Sequence, residues 1–442
     1  MTKRRRVRQA VRGEALSPRI HLTSLGCAKN LVDSERLLGR LAAAGAVVGA
    51  PPEEADIIIV NTCGFIRSAK EESLRTIFDY VRYKQEGRCR KLLVMGCLAQ
   101  RYEQALRAQL SEADGIFGLD QDAAIVTACG LSAVGSEHAD RLVVTPRHTA
   151  YLRLSDGCDN RCAYCAIPMI RGPFRSRPPE EILREAKWLV SAGARELNLI
   201  GQDTTRYGTD LPVATTLHAL LARLAKIQRL RWLRLLYTHP AHFTPELVEA
   251  YASIPKLCPY VDLPLQHLND DILRRMGRRV TQEQCLGLID RLRARVAGVA
   301  IRTTVIVGFP GETREQFNEL LHLVKAVRFD YLGAFAYSRE EGTRAARMRG
   351  QVSERAKSRR LRDLMLAQQK IAFEKNRAMD GQVVEVVIDG PAEEEGVWIA
   401  RSRTQAPDVD SVTYVRGRGL RPGIFTRAEI IGSDGYDLIG RV

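Results

Sequence analysis

The sequence predicts an α/β protein in three parts: a parallel α/β sheet domain, a partial TIM-type (βα)6 barrel and a small antiparallel β-barrel. Three repeats of a strand, a turn and a helix fill the first part of the chain, and six strands alternate with helices in the second. Short β-rich segments between glycine and aspartate turns fill the last part. A chain of 442 residues is long enough for two or three such domains.

The predicted domain limits follow these changes of pattern. They are a basic tail over residues 1–17, the sheet domain over 18–134, the partial barrel over 145–347, a basic linker helix over 348–379 and the small β-barrel over 380–442. The tail has no apolar stretch behind it, so it does not resemble a secretory signal. Two interpretations of it stay open: a disordered, solvated segment, or an arm that touches nucleic acid.

Charge, hydropathy and cysteine content narrow the class of protein. The formal net charge of +15 favours a polyanionic neighbourhood such as RNA or a ribosome, whereas the last domain has eleven acids and seven arginines, a net charge of −4. The longest apolar runs, ADIIIV and TTVIVGF, fall short of the roughly 18 residues that a membrane span needs. Ten cysteines without secretory features indicate reduced thiols that act as ligands or nucleophiles. We therefore expect a cytoplasmic protein with no membrane partner.

Each of the first three strands runs directly into a cysteine. These are Cys27, Cys63 and Cys97, and the separations are 36 and 34 residues, one βα unit each time. Ligands of open parallel sheets collect beyond the carboxyl ends of the strands, and each thiol precedes a helix start, where the helix dipole stabilises thiolate. We predict that the three thiols converge at one sheet edge. Cys89 precedes its strand, at the opposite edge, and is excluded.

The segment SDGCDNRCAYCAIPMIRG follows the first strand of the barrel and has the spacing C-x3-C-x2-C. Its cysteines, Cys158, Cys162 and Cys165, lie at the end of the barrel that carries the chemistry in TIM-type folds. Structural zinc needs four ligands, so a zinc site would require a distant fourth residue. An iron–sulfur cluster with one open iron suits three thiolates better. A disulfide is disfavoured by the odd count.

This spacing, with Tyr164 before the last cysteine, resembles that of the radical S-adenosylmethionine (SAM) enzymes. The resemblance implies that the three cysteines hold a [4Fe-4S] cluster whose open iron chelates the amino and carboxylate groups of SAM. In that family the reduced cluster splits the sulfonium, and the resulting 5′-deoxyadenosyl radical abstracts hydrogen from an unreactive C–H bond. The protein positions the cofactor against its target and excludes water from the reaction.

The three-part chain further resembles the radical SAM methylthiotransferases, which end in a TRAM-like barrel. The resemblance covers nearly the whole chain after the tail. It implies that Cys27, Cys63 and Cys97 hold a second, auxiliary [4Fe-4S] cluster, where the sulfur to be inserted is bound. No catalytic side chain beyond the cluster ligands is predicted.

Two branches of that family compete. The segments SLGCAKNLVDSERLLG, IGQDTTRYGTDL and DLPLQHLNDDILRRMGR resemble the branch that methylthiolates the β-carbon of an aspartate in small-subunit ribosomal protein S-twelve. The other branch modifies an isopentenylated adenosine in tRNA and typically has asparagine where Asp203 stands and Ser-Gly where His267 and Leu268 stand. We predict the ribosomal-protein branch; the tRNA enzyme is the alternative, and a non-catalytic zinc-containing RNA-binding protein is a more remote one. Lys29 is predicted to be a solvated surface lysine, with contact to the target carboxylate as the alternative.

The implied partners are ribosomal protein S-twelve, ribosomal RNA touched through the basic surface, and an electron-donating reductase. Gln202 and Asp203 end the second barrel strand, where the family grips the methionine end of SAM, and Gly308 in VIVGFPGE would approach the adenosine through its backbone. The simpler interpretations are a capping turn and a tight βα turn. His239 and His267 are predicted to be satisfied polar residues at strand ends.

Overall fold

The structure is a computed structural model that describes residues 17–132, 141–213 and 215–442. The chain divides into two compact units. The first comprises Met1–Gly64 and Ser68–Leu142, and the second comprises Phe65–Arg67 and Val143–Val442. The basic tail predicted over residues 1–17 lies, except for its last residue, outside the described residues.

The first unit is a parallel sheet with helices on both faces. Its strands are β1 (Arg19–Ser24), β2 (Val47–Val48), β3 (Ile57–Thr62), β4 (Lys91–Gly96) and β5 (Gly115–Phe117), and its helices are α1 (Ala28–Ala43), α2 (Arg67–Gln85), α3 (Cys97–Gln109) and α4 (Asp122–Ala128). The strands pair in parallel in the order β2-β1-β3-β4-β5. The strand order reverses between β1 and β3, the point at which doubly wound sheets of this order bind ligands.

The two faces of the sheet explain the apolar runs of its strands. Every residue of β3 is buried. Because successive side chains of a strand point to opposite faces, Ile57 and Ile59 pack with Leu37 of α1 on one side. Ile58 and Val60 pack with apolar residues of α2 and α3 on the other side. Strands that are covered on both faces lose the alternation of polar and apolar residues.

The second unit begins with a series of strands that alternate with helices. The strands are β6 (Thr149–Arg153), β7 (Ser155–Asp156), β8 (Arg175–Ser176), β9 (Glu196–Ile200), β10 (Trp232–Leu235), β11 (Tyr260–Asp262), β12 (Ala300–Val307) and β13 (Tyr331–Ala336). The helices are α5 (Ile167–Arg171), α6 (Pro179–Ala192), α7 (Leu217–Ala225), α8 (Pro245–Ser253), α9 (Asp270–Met276), α10 (Gln282–Arg295) and α11 (Arg314–Val327). The short strands β7 and β8 pair only with each other and flank the cysteine loop.

The remaining six strands of this series form the predicted partial barrel. They pair in parallel in two groups, β6-β9-β10 and β11-β12-β13. Two contacts bring β10 beside β11. One is a parallel bridge between Leu233 and Leu257, and the other is a hydrogen bond of 2.7 Å from the Tyr237 amide to the Asp262 carboxylate. The apolar faces of the surrounding helices pack on these strands in one continuous core.

Threonine side chains fix where four of the barrel helices begin. Thr216, Thr244, Thr281 and Thr313 each accept a hydrogen bond from a backbone amide in the first turn of the helix that follows. Such N-caps satisfy amides that have no partner within the helix. At Thr281 and Thr313 a glutamine three residues later returns the bond and completes a capping box. These caps place the loops at the carboxyl ends of the strands in defined positions.

A long helix and a closed β-barrel complete the second unit. They are α12 (Glu354–Arg377), β14 (Val383–Pro391), β15 (Val397–Ser402), β16 (Thr413–Arg416), β17 (Phe425–Asp434) and β18 (Asp437–Arg441). The barrel closes in the order β14-β15-β16-β18-β17. Its pairs are antiparallel as predicted, except that β16 and β18 run parallel where the last strand closes the barrel.

Buried charges join the small barrel to the amino-terminal ends of the partial-barrel strands. Glu196, the first residue of β9, accepts hydrogen bonds from Arg234 at 3.1 Å and from Arg401 of β15 at 2.8 Å. The Arg401 guanidinium also donates to Asp389 at 2.7 Å, and Asp389 contacts His148 at 2.8 Å. This network lies at the end of the partial barrel opposite to the cysteine loop, so it leaves the carboxyl ends of the strands free.

The predicted fold class is confirmed. The domain limits drawn from the sequence stay predictions, and the structure groups the partial barrel and the small barrel into one unit. Three β-rich segments of the small barrel are visible in the sequence, QVVEVVID, GVWIARS and DSVTYVRG, and they correspond to β14, β15 and β16, whereas β17 and β18 were not predicted. None of the helices in the described parts of the chain is both long enough and apolar enough to cross a bilayer.

Candidate metal centres and cofactor site

The three N-terminal cysteines lie where the sequence predicted them, at the carboxyl ends of neighbouring strands. Cys27 precedes the first residue of α1, Cys63 directly follows β3, and Cys97 is the first residue of α3. β3 lies between β1 and β4 in the sheet, so the three cysteines occupy one edge of it. Cys27 and Cys63 flank the point where the strand order reverses.

Close packing around two glycines brings these cysteines together. Gly26 has φ +92°, and a β-carbon there would lie 3.0 Å from the Cys63 Sγ. A β-carbon on Gly64 would lie 2.9 Å from the carbonyl carbon of Cys97. The Cys97 thiol lies 3.3 Å from the Oδ1 of Asn30, and Asn30 follows Cys27 by about one helical turn. The three cysteines therefore lie close together at this edge of the sheet, and their thiols are chemically suited to an iron–sulfur cluster.

Buried polar side chains hold the loops of this edge. Asn61 of β3 donates to the Asn30 carbonyl at 2.8 Å and to the Ser34 hydroxyl at 2.9 Å. The Ser73 hydroxyl of α2 donates to the Cys63 carbonyl at 3.0 Å. Since each side chain links two elements, these bonds fix the cysteine positions before any ligand binds.

The prediction of a solvated Lys29 is wrong, because this residue is only 7% exposed. Glu35, on the same helix, is fully buried and forms an ion pair with Arg141 at 2.5 Å. The partner is 106 residues further along the chain, so no local pattern could reveal it. The segment after Cys27 is thus a buried polar face of α1 rather than a surface.

The second set of cysteines lies in one loop between β7 and α5. The Cys158 amide donates to the Gly172 carbonyl at 3.1 Å, and the Cys165 amide donates to the Cys162 carbonyl at 3.2 Å. The Ala163 amide donates to the Met276 carbonyl at 2.8 Å, which ties the loop to α9. A cavity of about 580 Å³ opens beside this loop and is lined by Cys158 and Cys162.

The surroundings of this loop suit thiolates that bind metal. Burial raises the pKa of Cys158 to about 11 and that of Cys165 to about 12, so metal binding must displace their protons. The Arg278 guanidinium lies 3.9 Å from the Cys162 Sγ, and amide groups of Asn160 donate towards Cys158. The three sulfurs and these donors fit the ligand set of an iron–sulfur cluster.

Gln202 and Asp203 lie beside this loop but differ in what they offer a ligand. Both amide atoms of the Gln202 side chain are buried, and they have no hydrogen-bond partner among the described residues. Each buried polar atom without a partner is costly, so this amide suits a zwitterionic ligand such as the methionine end of SAM. Asp203 is already occupied, because it accepts hydrogen bonds from Asn160 at 2.7 Å and Thr205 at 2.5 Å.

Asp203, His239 and His242 form a compact group that could be mistaken for a metal site, since their donor atoms lie within 4.8 Å of one another. The Ala241 amide donates to the His239 Nδ1 at 3.1 Å, so Nδ1 is already engaged. The neutral ring then carries its proton on Nε2, and a protonated nitrogen cannot bind a metal ion. Burial lowers the pKa of His239 and keeps the ring neutral. His242 Nδ1 lies 2.7 Å from the Asp203 carboxylate. The group is a hydrogen-bond network that positions the Asn160 segment of the loop.

The Gly308 turn is held from within the protein. The Gly308 amide donates to the Glu312 carboxylate, and a β-carbon at this glycine, which has φ +72°, would lie 2.4 Å from the Lys357 side chain. Glu312 also binds Arg360 at 2.8 Å and lies 3.4 Å from the fully buried His267. These contacts favour the tight-turn interpretation, and a SAM contact at Gly308 stays a prediction.

Comparisons with known proteins identify the domains and the family of the chain. The family described as the Radical SAM superfamily matches residues 152–324, the uncharacterized protein family UPF0004 matches residues 19–118, and the TRAM domain matches residues 381–442. Ribosomal protein uS12 methylthiotransferase RimO of Geobacter sulfurreducens is 46% identical over 96% of this chain and 98% of its own. The protein of the same name from Desulforamulus reducens is 47% identical over 96% and 99%. The chain belongs to the RimO family.

Membership of the RimO family makes the chain a radical SAM enzyme of the methylthiotransferase class. Its fold implies a [4Fe-4S] cluster and SAM. A solved structure of the radical SAM methyltransferase TsrM from Kitasatospora setae, with tryptophan and a SAM analogue bound, aligns with a TM-score of 0.53 at 15% identity and covers 72% of this chain and 73% of its own. At this identity the similarity concerns the fold alone.

Arg278 was not predicted as a site residue; it lies after α9 and faces the cysteine loop. It also donates to the Pro264 carbonyl. Its segment, DDILRRMGRR, contains four arginines, and only one of them is buried beside a thiol. The spacing of the four arginines does not predict which of them is buried, so the contact of Arg278 with the thiol could be seen only in the folded chain.

Proposed function

We propose that this member of the RimO family transfers a methylthio group to the β-carbon of an aspartate in ribosomal protein uS12. The observation that carries the proposal is the presence of two separate three-cysteine sets, one in each compact unit. A single set would suffice for radical generation alone. A second set suits a sulfur-binding cluster, and the relatives named uS12 methylthiotransferase extend over 96% of the chain.

Two [4Fe-4S] clusters would be held by these cysteines. Cys158, Cys162 and Cys165 would bind the cluster that chelates SAM, and the set of Cys27, Cys63 and Cys97 would bind the auxiliary one. When bound, these groups supply a carbon radical at the target and the methylated sulfur that joins it. The chain itself buries Cys97 and Cys158 and leaves the other four cysteines half-buried, so each set is held in place by the protein and stays open to a ligand.

The polar residues around the cysteine loop have distinct proposed tasks. The unpartnered Gln202 amide would donate to the carboxylate of SAM and accept from its amino group. Asp203 would act as a positioning residue, because its oxygens are taken by Asn160 and Thr205. Arg278 would stabilise negative charge on the sulfur of Cys162.

The charge distribution supports a protein target. The C-terminal barrel from Asp380 onward has a net charge of −4 and suits a basic protein better than tRNA, since phosphate contacts dominate binding to nucleic acid. The rest of the chain is strongly basic and suits contact with ribosomal RNA around the target. An electron-donating reductase and a cytoplasmic location complete the proposal.

Metal analysis after anaerobic reconstitution tests the assignment of the two sites. We expect about eight iron atoms per chain in the wild type and about four in each of the Cys158→Ala and Cys63→Ala variants, because one cluster remains in each. Both variants should fail to methylthiolate uS12, as measured by mass spectrometry. Cys258→Ala is the control, since this thiol is buried beside Arg234 and away from both sites.

Several results would contradict the proposal. Zinc in place of iron and sulfide would favour the non-catalytic RNA-binding alternative. Full methylthiolation by either cysteine variant would refute the ligand assignment. Methylthiolated adenosine in tRNA, with unmodified uS12, would favour the tRNA enzyme.

A further inference from the structure

The solvent-facing side of α12 carries a row of cations. The helix contains eight basic and three acidic side chains. With 3.6 residues per turn, five of the cations and one leucine fall within an arc of about 80° of the helix surface. We call this surface the α12 stripe; it consists of Arg355, Arg359, Arg362, Leu366, Lys370 and Arg377.

Pairing separates the stripe from the other cations of the same helix. Lys357, which is buried, binds Glu354 at 2.8 Å, and the buried Arg360 binds Glu312 at 2.8 Å. Lys375 is also engaged in an ion pair. By contrast, the five cations of the stripe are exposed and form no ion pair with any residue that the structure describes. Their charge is therefore available to a partner.

We propose that the α12 stripe binds the phosphate backbone of ribosomal RNA. From Arg355 to Arg377 it extends about 33 Å, at 1.5 Å per residue, which is long enough to reach several phosphates of one nucleic-acid backbone. Of the two acids beside it, Glu374 is paired with Arg328 at 2.8 Å, which leaves Asp363 against five cations. The choice of ribosomal RNA rests on the proposed function, whereas the affinity for phosphate rests on the stripe alone.

The alternatives to RNA fit this surface less well. A basic amphipathic helix binds a lipid surface by burying its apolar face in the bilayer. The apolar face of α12 is already buried in the protein through residues such as Leu364 and Ile371, and Leu366 is 52% exposed in the middle of the cations. An acidic protein would also match the charge, but the proposed function names no acidic protein as a partner, whereas a ribosomal target places the chain beside ribosomal RNA.

The test measures binding of the full, reconstituted chain to small-subunit ribosomal RNA at several salt concentrations. The variant combines Arg355→Gln, Arg359→Gln and Arg362→Gln; the matched control combines Arg184→Gln, Lys187→Gln and Lys226→Gln. The control cations are exposed and unpaired among the described residues, like those of the stripe. Thermal unfolding of each variant confirms that it is folded.

We expect the stripe variant to bind ribosomal RNA at least about tenfold more weakly at moderate salt. The slope of log K against log salt should fall in magnitude by about 2 to 3, because each of the three lost phosphate contacts contributes roughly 0.7 to 0.9 to that slope. The control should bind like the wild type. Equal binding by the stripe variant, or an equal loss in the control, would overturn the proposal. The proposal would also be overturned if the stripe variant lost binding to anionic vesicles or to free uS12 but kept its binding to ribosomal RNA. Binding is measured without turnover, so an enzyme that fails to modify uS12 but shows this salt dependence would refute the proposed function and leave the RNA contact standing.

Discussion

Replacing Glu196 by glutamine should strongly destabilise the second unit. This carboxylate is fully buried between the Arg234 and Arg401 guanidinium groups, and Arg401 belongs to the small barrel. Glutamine has nearly the same shape but no charge. The substitution therefore leaves the two buried cations with one carboxylate, Asp389, in place of two.

The size of the effect follows from the cost of an uncompensated buried charge and from the lowered pKa of Glu196. Removing one partner of a buried ion pair typically costs about 3 to 5 kcal/mol, because a charge is left uncompensated. Burial alone would raise the pKa of Glu196, but Arg401 and Arg234 outweigh it and lower the pKa from 4.5 to about 2. A difference of that size corresponds to about 3 kcal/mol of stability. Since the pKa is lower in the folded state, this contribution is present above pH 4.5 and decreases as the pH falls towards 2.

Urea unfolding followed by tryptophan fluorescence measures the effect. Trp232 suits this purpose because its ring packs against Phe425 of the small barrel, with centroids 4.9 Å apart. The control is Glu429→Gln, which breaks an exposed pair with Arg441 and should cost less than about 1 kcal/mol. If Glu196→Gln lost no more free energy of unfolding at pH 7 than this control, the ion pairs would not be what joins the two barrels. The wild type should also lose roughly 1 kcal/mol of the Glu196 contribution between pH 7 and pH 4, and the variant should not.

Two further predictions concern the cysteine sites. Asp203→Asn should lower kcat/KM about 10- to 100-fold while iron stays bound, because the amide cannot accept from Asn160 and His242 as the carboxylate does; activity and iron content are measured on the same sample. Gly26→Ala should lower the iron content to about four atoms per chain, because the new β-carbon would lie 2.8 Å from the Cys63 Cβ. The control is Gly45→Ala. Gly45 has nearly the same φ, +93°, but a β-carbon there would meet nothing within 4 Å, so this variant should keep all its iron.

Each of these predictions has an outcome that would contradict it. Wild-type kinetics for Asp203→Asn would mean that the hydrogen-bond network does not position the loop. Equal iron loss in both glycine variants would attribute the effect to backbone strain, which the two positions share, rather than to crowding at Cys63.

The cysteine positions could be predicted because they depend on local signals. Cys27, Cys63 and Cys97 each follow an apolar strand and precede a helix, and parallel pairing then places all three at the same edge. The C-x3-C-x2-C spacing is likewise contained within eight residues. These features need no knowledge of distant contacts.

Other features depend on partners far along the chain. Glu35 and Lys29 are polar residues on a helix, and only the folded structure shows that they are buried. Arg278 meets Cys162 across 116 residues. The strands β17 and β18 were missed because FTRAEIIGSD and DLIGR mix polar residues and glycine with few apolar ones. Closure of the barrel stabilises them through pairing with β14 and β16.

The way the small barrel is attached limits its exchange between proteins. A TRAM domain joined by a flexible linker could be replaced by that of a relative without regard to the catalytic barrel. Here a transplanted domain without a counterpart of Arg401 would leave Glu196 with Arg234 alone. One without a counterpart of Asp389 would remove the contact with His148 and leave Arg401 with Glu196 as its one carboxylate among the contacts described above. A domain-swapped hybrid intended to redirect this enzyme to another substrate would therefore have to exchange both sides of the charge network together.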